Sequence, residues 1–260
     1  MPKEWKLLKT NRMPTAPRIS HVTAVILAGG AGTRLRTVIA DRPKALAPVA
    51  GKPFLAHLLD QLSGQGVRQA VLCTGYLGDQ VEACFGRNFH GLTLAYSSEE
   101  RPLGTAGAIR HALPQVDSDP LLVLNGDSYC ETDLAASLAW HCQRRARATL
   151  VLAHVDEGSR FGRVETAADG RIVAFQEKSG AENPGWINSG VYWFERSIFA
   201  SLPSGQPCSL ERDLLAVWRG PGLYGYRQPG RFLDIGIPQD YARAEEFLAG
   251  VAAPAAALAG

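Results

Sequence analysis

Short apolar runs, separated by segments with helical periodicity, constrain this chain more than any other feature. Val22 to Ala28, Gln69 to Thr74, Leu121 to Leu124 and Ala148 to Val155 are almost unbroken in their apolar character. A strand covered on both faces reads this way, and parallel sheets are where such strands occur. Between the first two runs, Pro53 to Gln65 sets Phe54, Leu55, Leu58, Leu59 and Leu62 on one helical face, with Pro53 suited to a first turn. Strand, helix, strand in that order implies a right-handed parallel βαβ unit. The alternation continues with a strand at Leu92 to Ser97, a helix N-capped by Thr105 and running to Ala112, and a helix from Asp133 to Arg145.

The pattern changes in the second half. Gly162 to Thr166 and Arg171 to Gln176 flank an Asp169-Gly170 turn, a hairpin signal. A strand is expected over Ile187 to Phe194, and helices over Leu210 to Trp218 and Gln239 to Leu248, the last opened by Pro238 and stopped by Gly250. The expectation is an α/β fold: a single doubly wound, mostly parallel, Rossmann-like sheet with a hairpin-rich C-terminal half. It occupies residues 21–250, between a weakly ordered extension at 1–20 and an Ala-rich tail at 251–260.

Composition narrows the function. Of 260 residues, 46% are hydrophobic and 20% charged, a balance that builds a core and excludes a mainly disordered chain. The net charge of +2 supplies no field for nucleic acid or a membrane surface, and neither is expected as a partner. Five cysteines, an odd number with no C-x-x-C pair, speak against a zinc site or disulfide framework and for reduced thiols in the cytoplasm. Met1 to Ser20 is basic but lacks the apolar stretch of a signal peptide, and no run reaches the length of a membrane span. The sequence does not set the oligomeric state, and a homo-oligomer is compatible with it.

The chemistry gathers at strand ends. The first run leads into Leu27-Ala28-Gly29-Gly30-Ala31-Gly32-Thr33-Arg34. Its glycines let backbone N–H groups approach an anion, and Arg34 adds a permanent guanidinium. It is neither a Walker A loop nor a G-x-G-x-x-G fingerprint, and its glycines alone equally describe a tight strand–helix turn. Downstream, Lys44 and Lys52 lie between Pro43, Pro48 and Pro53, which limit the backbone's freedom. Either lysine could hold phosphate or be an ordinary surface residue. Asn125-Gly126-Asp127 closes another buried run, at the carboxyl edge where open α/β sheets bind ligands. Asp127 there suits a hard cation such as Mg²⁺, although Asn-Gly-Asp is also turn-prone.

Taken together, Leu27 to Leu35, Pro43-Lys44 and Gly51-Lys52-Pro53 resemble the signature of the sugar-1-phosphate nucleotidyltransferase family, and the likeness extends from about Val22 to about Phe247. The resemblance implies a GT-A-type nucleotidyltransferase fold and transfer of a nucleotidyl group from a nucleoside triphosphate to a sugar 1-phosphate. It implies nucleotide contacts from Leu27, Ala28, Gly29, Gly30, Gly32, Thr33 and Arg34, and from Gly104 and Thr105 in Pro102 to Gly107, which resembles the family's base and ribose loop. It makes Asp127 and Asp234 the Mg²⁺ ligands and gives the sugar phosphate to Gly126, Glu177, Lys178 and Asn188. Arg34, Lys44, Asp127 and Lys178 become the catalytic set. Pro102 to Gly107 is similar to guanylyltransferases. Arg160 to Val164, Ser209 to Asp213 and Asp234 to Tyr241 look most like enzymes acting on D-glycero-D-manno-heptose 1-phosphate. Ala45-Leu46 and Cys208-Ser209 depart from the family pattern, which leaves mannose or glucose 1-phosphate, and ATP, CTP, UTP or dTTP, as alternatives. A silent regulatory module of the same fold is a further alternative, against which the joint retention of Arg34, Lys44, Asp127, Lys178 and Asp234 argues. A glycosyltransferase would carry Asp-x-Asp where this chain has Asp127-Ser128-Tyr129.

Overall fold

The computed structural model describes residues 17–30, 35, 39, 41–157, 160–176, 183–218 and 221–249. The first strand, β1 (Thr23–Leu27), is followed by a small hairpin of β2 (Pro48–Val49) and β3 (Lys52–Pro53), helix α1 (Phe54–Gly64) and β4 (Gln69–Thr74). Helix α2 (Gly78–Phe85), β5 (Asn88–Phe89), β6 (Leu92–Ser98), α3 (Gly104–Ala112), β7 (Leu121–Asn125), β8 (Ser128–Cys130) and α4 (Leu134–Gln143) complete the first half. The second half holds β9 (Ala148–Val155), β10 (Arg163–Thr166), β11 (Ile172–Gln176), β12 (Gly185–Phe194), α5 (Arg196–Ala200), β13 (Leu223–Arg227), β14 (Phe232–Asp234) and α6 (Pro238–Ala249).

Among the described residues a ten-stranded mixed sheet runs β11-β10-β12-β7-β1-β4-β6-β5, with β9 on β12 and β13 on β9. β7, β1, β4 and β6 are parallel neighbours, while β10–β11 and all three partners of β12 (β10, β7 and β9) pair antiparallel. The sheet is covered on both faces. Ala24 and Ile26 of β1 join one core with the α1 side chains Leu55, Leu58, Leu59 and Leu62. Val25, between them, joins the opposite core with Ile109 and Ala112 of α3. Alternation along a strand sends neighbours to opposite faces, so both faces must be apolar, which is why β1 reads as a continuous run. Each fully buried leucine of α1 contributes on the order of 2 kcal/mol.

The connections set the functional edge. From β1 the chain moves outward through β4 to β6, then returns to place β7 on the other side of β1. The carboxyl ends of β1 and β7 therefore flank a topological switch point, where the loops diverge and leave a crevice.

Two expected helix features are corrected. Thr105 does not cap α3: the helix starts at Gly104, its N-cap residue is Leu103, and no side chain caps it. The Thr105 hydroxyl instead accepts from Leu210 N at 2.7 Å and donates to Glu211 at 3.0 Å. The helix expected over Leu210 to Trp218 is one π-helical turn, Leu210–Leu215, capped by Ser209. By contrast Asp133 caps α4, its carboxylate accepting from Ala136 N at 2.8 Å. The helix stop assigned to Gly250 and the tail at 251–260 lie outside the described residues, as do residues 1–16 of the N-terminal extension. Among the described residues no helix is long and apolar enough to cross a membrane.

Candidate active site

The loop after β1 begins with backbone packing that only small residues permit. Ala28 N donates to Cys73 O at 2.9 Å, tying the end of β1 to β4. A Cβ on Gly29 would lie 3.2 Å from Gly75 N and 3.3 Å from Glu99 Oε1. Gly30 faces open space. Leu27, Gly29 and Gly30 line a cavity of about 620 Å³ together with Tyr76, Glu99, Gly104, Thr105, Asn125 and Asp127. The structure thus brings Leu27, Gly29, Gly30, Gly104, Thr105 and Asp127 around one space. Gly32, Thr33, Arg34, Glu177 and Lys178 lie outside the described residues.

Gly104 and Gly107 answer to packing. A Cβ on Gly104, whose φ is +69°, would meet Cys208 O at 2.6 Å, and one on Gly107 would meet Gln206 O at 2.9 Å. Cys208 O in turn accepts from Ala106 N and Gly107 N at the start of α3. The segment before the π-helical turn therefore clasps α3 and fixes the wall carrying Gly104 and Thr105.

Asp127 follows β7 and Asp234 closes β14. They are brought together by the antiparallel β8–β14 ribbon, in which Asp234 pairs with Ser128 and Ile235 N donates to Asp127 O at 2.9 Å. The Ser128 hydroxyl lies 2.9 Å from Asp234 Oδ2 and 3.4 Å from Asp127 Oδ1. Gly236 N donates to Asp234 Oδ1 at 2.8 Å, and a Cβ at 236 would sit 2.5 Å from that oxygen. Lys44, on the 3-10 turn Lys44–Leu46, donates to Asp127 Oδ2 at 2.6 Å with its side chain 12% exposed. Burial pushes the Asp234 carboxyl above its ordinary value, the neighbouring Asp127 charge adds to the shift, and Lys44 opposes it. Among the described residues two carboxylates thus stand beside one ammonium, which contacts Asp127, and negative charge is in excess among them at the sheet edge.

That surplus fits a cation. Among the described residues no group of three or more His, Cys, Asp and Glu side chains forms a ligand cluster. Two carboxylates suit Mg²⁺, which takes one or two carboxylates and fills its remaining positions with water and substrate phosphate.

Lys52 takes the other course: it pairs with Asp60 in a separate cavity of about 910 Å³ beside α1. Gly126 is buried with its N–H donating to Leu27 O at 3.0 Å, and a Cβ there would meet the same oxygen at 2.7 Å. Close approach to β1 is thus a sufficient reason for glycine at 126. Asn188 lies on β12 beside a bulge, donating from Nδ2 to Tyr192 Oη at 2.7 Å and accepting from Gly190 N at 3.2 Å.

Three further residues face the cavity: Glu99 and Tyr76, which escape a sequence reading, and Asn125, which the sequence places in the Asn125-Gly126-Asp127 motif without a role of its own. Glu99 follows β6, accepts from Leu103 N through Oε2 at 3.1 Å, and has its acidity weakened by burial. Asn125 holds a buried Oδ1 with no hydrogen-bond partner among the described residues. Tyr76 is 48% exposed at the rim. All three sit just past or at the carboxyl end of a parallel strand, and the sheet-edge rule is the one signal that could have singled them out.

Comparison with known proteins agrees with this fold. The family model described as "Nucleotidyl transferase" matches residues 23–250. The chain is 39% identical to D-glycero-alpha-D-manno-heptose 1-phosphate guanylyltransferase of Aneurinibacillus thermoaerophilus, over 86% of this chain and 97% of that protein. It is also 39% identical to mannose-1-phosphate guanylyltransferase of Mycobacterium tuberculosis, over 92% of this chain and 68% of that longer protein. The crystal structure of HddC from Yersinia pseudotuberculosis complexed with GMP-PN superposes with a TM-score of 0.78 at 33% identity, covering 87% of this chain and 99% of that one. Fold, strand-end site and these likenesses converge on one assignment: the chain belongs to the nucleotidyl transferase family.

Proposed function

We propose that the chain is a guanylyltransferase that joins GTP to D-glycero-D-manno-heptose 1-phosphate and releases pyrophosphate. The observation that carries this reading is Asp127 on the wall of the glycine-floored cavity at the switch point of the sheet, with Asp234 held beside it through the Ser128 hydroxyl. A phosphate oxygen of the sugar 1-phosphate attacks the α-phosphorus. A new P–O bond forms, the bond from the α-phosphorus to the bridging oxygen breaks, and pyrophosphate leaves with the electron pair. The attacking phosphate is already anionic near neutral pH, so no general base is required. Catalysis is then positioning and charge stabilisation.

Within this reading each residue has a task. Gly29, Gly30, Gly32 and Thr33 present backbone to the triphosphate, Leu27 and Ala28 border the nucleotide, and Arg34 and Lys44 steady the leaving pyrophosphate. Gly104 and Thr105 border the nucleoside. Lys178 holds the attacking phosphate, with Glu177, Asn188 and Gly126 on the sugar side. Asp127 and Asp234 would hold Mg²⁺, which when bound neutralises charge building on the phosphates.

Glu99 supports guanine over adenine. A carboxylate only accepts hydrogen bonds, and guanine offers two adjacent donors, N1–H and the 2-amino group, where adenine offers one donor and one acceptor. Replacing Glu99 by Gln sets a donor against a donor. KM for GTP should rise by about tenfold or more, and the preference over ATP should narrow. An unchanged KM removes Glu99 from base recognition.

Mannose 1-phosphate is the second reading of the acceptor, favoured by the equal identity to the mycobacterial mannose-1-phosphate guanylyltransferase. Pyrophosphate release from a matrix of nucleoside triphosphates against heptose, mannose and glucose 1-phosphates decides between them. The reading requires the strongest signal with GTP and the heptose. A strongest signal with mannose 1-phosphate selects the second reading, and a folded protein silent in every cell overturns both.

A further inference from the structure

Lys44 stands where a cation would be expected. Its ammonium contacts Asp127 Oδ2 at 2.6 Å and lies in van der Waals range of Gly236, 3.5 Å from where a Cβ there would sit, on the side of Asp234. The other three carboxylate oxygens face the Ser128 hydroxyl or Gly236 N–H at 2.8 to 3.4 Å. Asp127 Oδ2 and both Asp234 oxygens therefore each face a donor, the single Ser128 proton serving the nearer Asp234 Oδ2, and the donor on Asp127 is charged.

The backbone beneath Lys44 is clamped. Pro43 O accepts from Leu46 N at 2.9 Å, Lys44 O accepts from Ala47 N at 3.0 Å, and Ala45 and Leu46 are buried. Only the flexible four-carbon stem can move the charge. An ammonium against Asp127 raises the cost of seating a divalent ion on the same carboxylate, because like charges a few ångströms apart repel where water is partly excluded.

We propose that in the nucleotide-free protein Lys44 is a resident counter-ion that excludes a divalent cation from Asp127 and Asp234 until a triphosphate gives the lysine another anion to hold. This rests on the reading of those two aspartates as cation ligands. The free protein then binds divalent cations weakly, and the cation enters together with the nucleotide. Lys44 acts twice: it masks the carboxylates before binding, and it turns to the phosphates once the cation replaces it. By linkage, whatever Lys44 costs the cation in the free protein returns as cooperativity between cation and triphosphate.

The test is Mn²⁺ binding to the nucleotide-free protein, followed by electron paramagnetic resonance of the free ion, in the wild type, Lys44→Met and Lys44→Arg. Lys44→Met should bind Mn²⁺ about tenfold tighter or more than wild type, and Lys44→Arg should stay weak. The gain should persist at high salt, because exchange at a shared contact is screened far less than a distant field. A non-hydrolysable GTP analogue should tighten Mn²⁺ binding in the wild type and much less in Lys44→Met. If Lys44→Met does not fold, Lys44→Gln carries the same comparison. Equal Mn²⁺ affinity in wild type and the neutral variant, a gain that vanishes at high salt, or no Mn²⁺ binding in either protein would each overturn the proposal. The titration needs no turnover, so failure of the guanylyltransferase reading shows separately, as absence of pyrophosphate release.

Discussion

Two lysine–aspartate pairs arise from one short proline-bounded segment, and they do opposite things. Lys44 meets Asp127 at the sheet edge, and Lys52 meets Asp60 on the rim of the cavity beside α1. At the first, a second carboxylate, Asp234, leaves the charge of the described residues negative. At the second, Asp60 takes both Lys52 and His90 Nδ1, the latter at 2.8 Å, and its charge is fully partnered within the fold. Exposure differs too: the Lys44 side chain is 12% exposed and that of Lys52 40%. An ion pair by itself therefore says little about function. What marks a site is an unmatched charge, held by backbone, at the edge where the topology opens a crevice.

The sharpest way to break this contrast is Asp127→Asn, which keeps the shape and removes the surplus charge. Turnover should fall by at least about a hundredfold, in the range seen when a key electrostatic group is removed. Steady-state pyrophosphate release measures it, and near-wild-type turnover would end the assignment. A smaller effect is expected from Gly236→Ala, which places a methyl 2.5 Å from Asp234 Oδ1 and must push that carboxylate aside. Turnover should drop by roughly tenfold while circular dichroism stays native, since a displacement of about 1 Å costs up to a hundredfold in positioned chemistry. The least effect belongs to Lys52→Met. A pair this exposed contributes about 0 to 1 kcal/mol, so urea unfolding should shift by no more than that and turnover should hold. A loss of turnover comparable to Gly236→Ala would erase the distinction between the pairs.

The sequence made some of this legible for identifiable reasons. β4 and β9 fall where their apolar runs begin and end, because burial on both faces keeps Ala70 to Thr74 and Ala148 to Ala153 covered and leaves exposed positions only at the ends. Asp127 could be placed at a strand end from Leu121 to Leu124 alone. The β8–β14 ribbon could not be foreseen: its strands are three residues each, and the contact between Ser128 and Asp234 spans 106 positions. Pairing the two aspartates therefore depended on resemblance rather than pattern. Thr105 misled because Thr before a helix reads as a cap, whereas here its hydroxyl is drawn to Leu210 and Glu211 by tertiary packing. Helix α2 went unseen because it opens after Leu77 in a left-handed conformation, φ 56°, with no side-chain cap to announce it.

The central claim is attack on the α-phosphorus by a sugar phosphate at the Asp127–Asp234 edge. Its most direct test follows GTP labelled at either the α or the γ phosphate in the presence of the heptose 1-phosphate. The account requires the α label in the nucleotide sugar and the γ label in pyrophosphate. Release of the γ label as inorganic phosphate, or its transfer to the sugar, would contradict it.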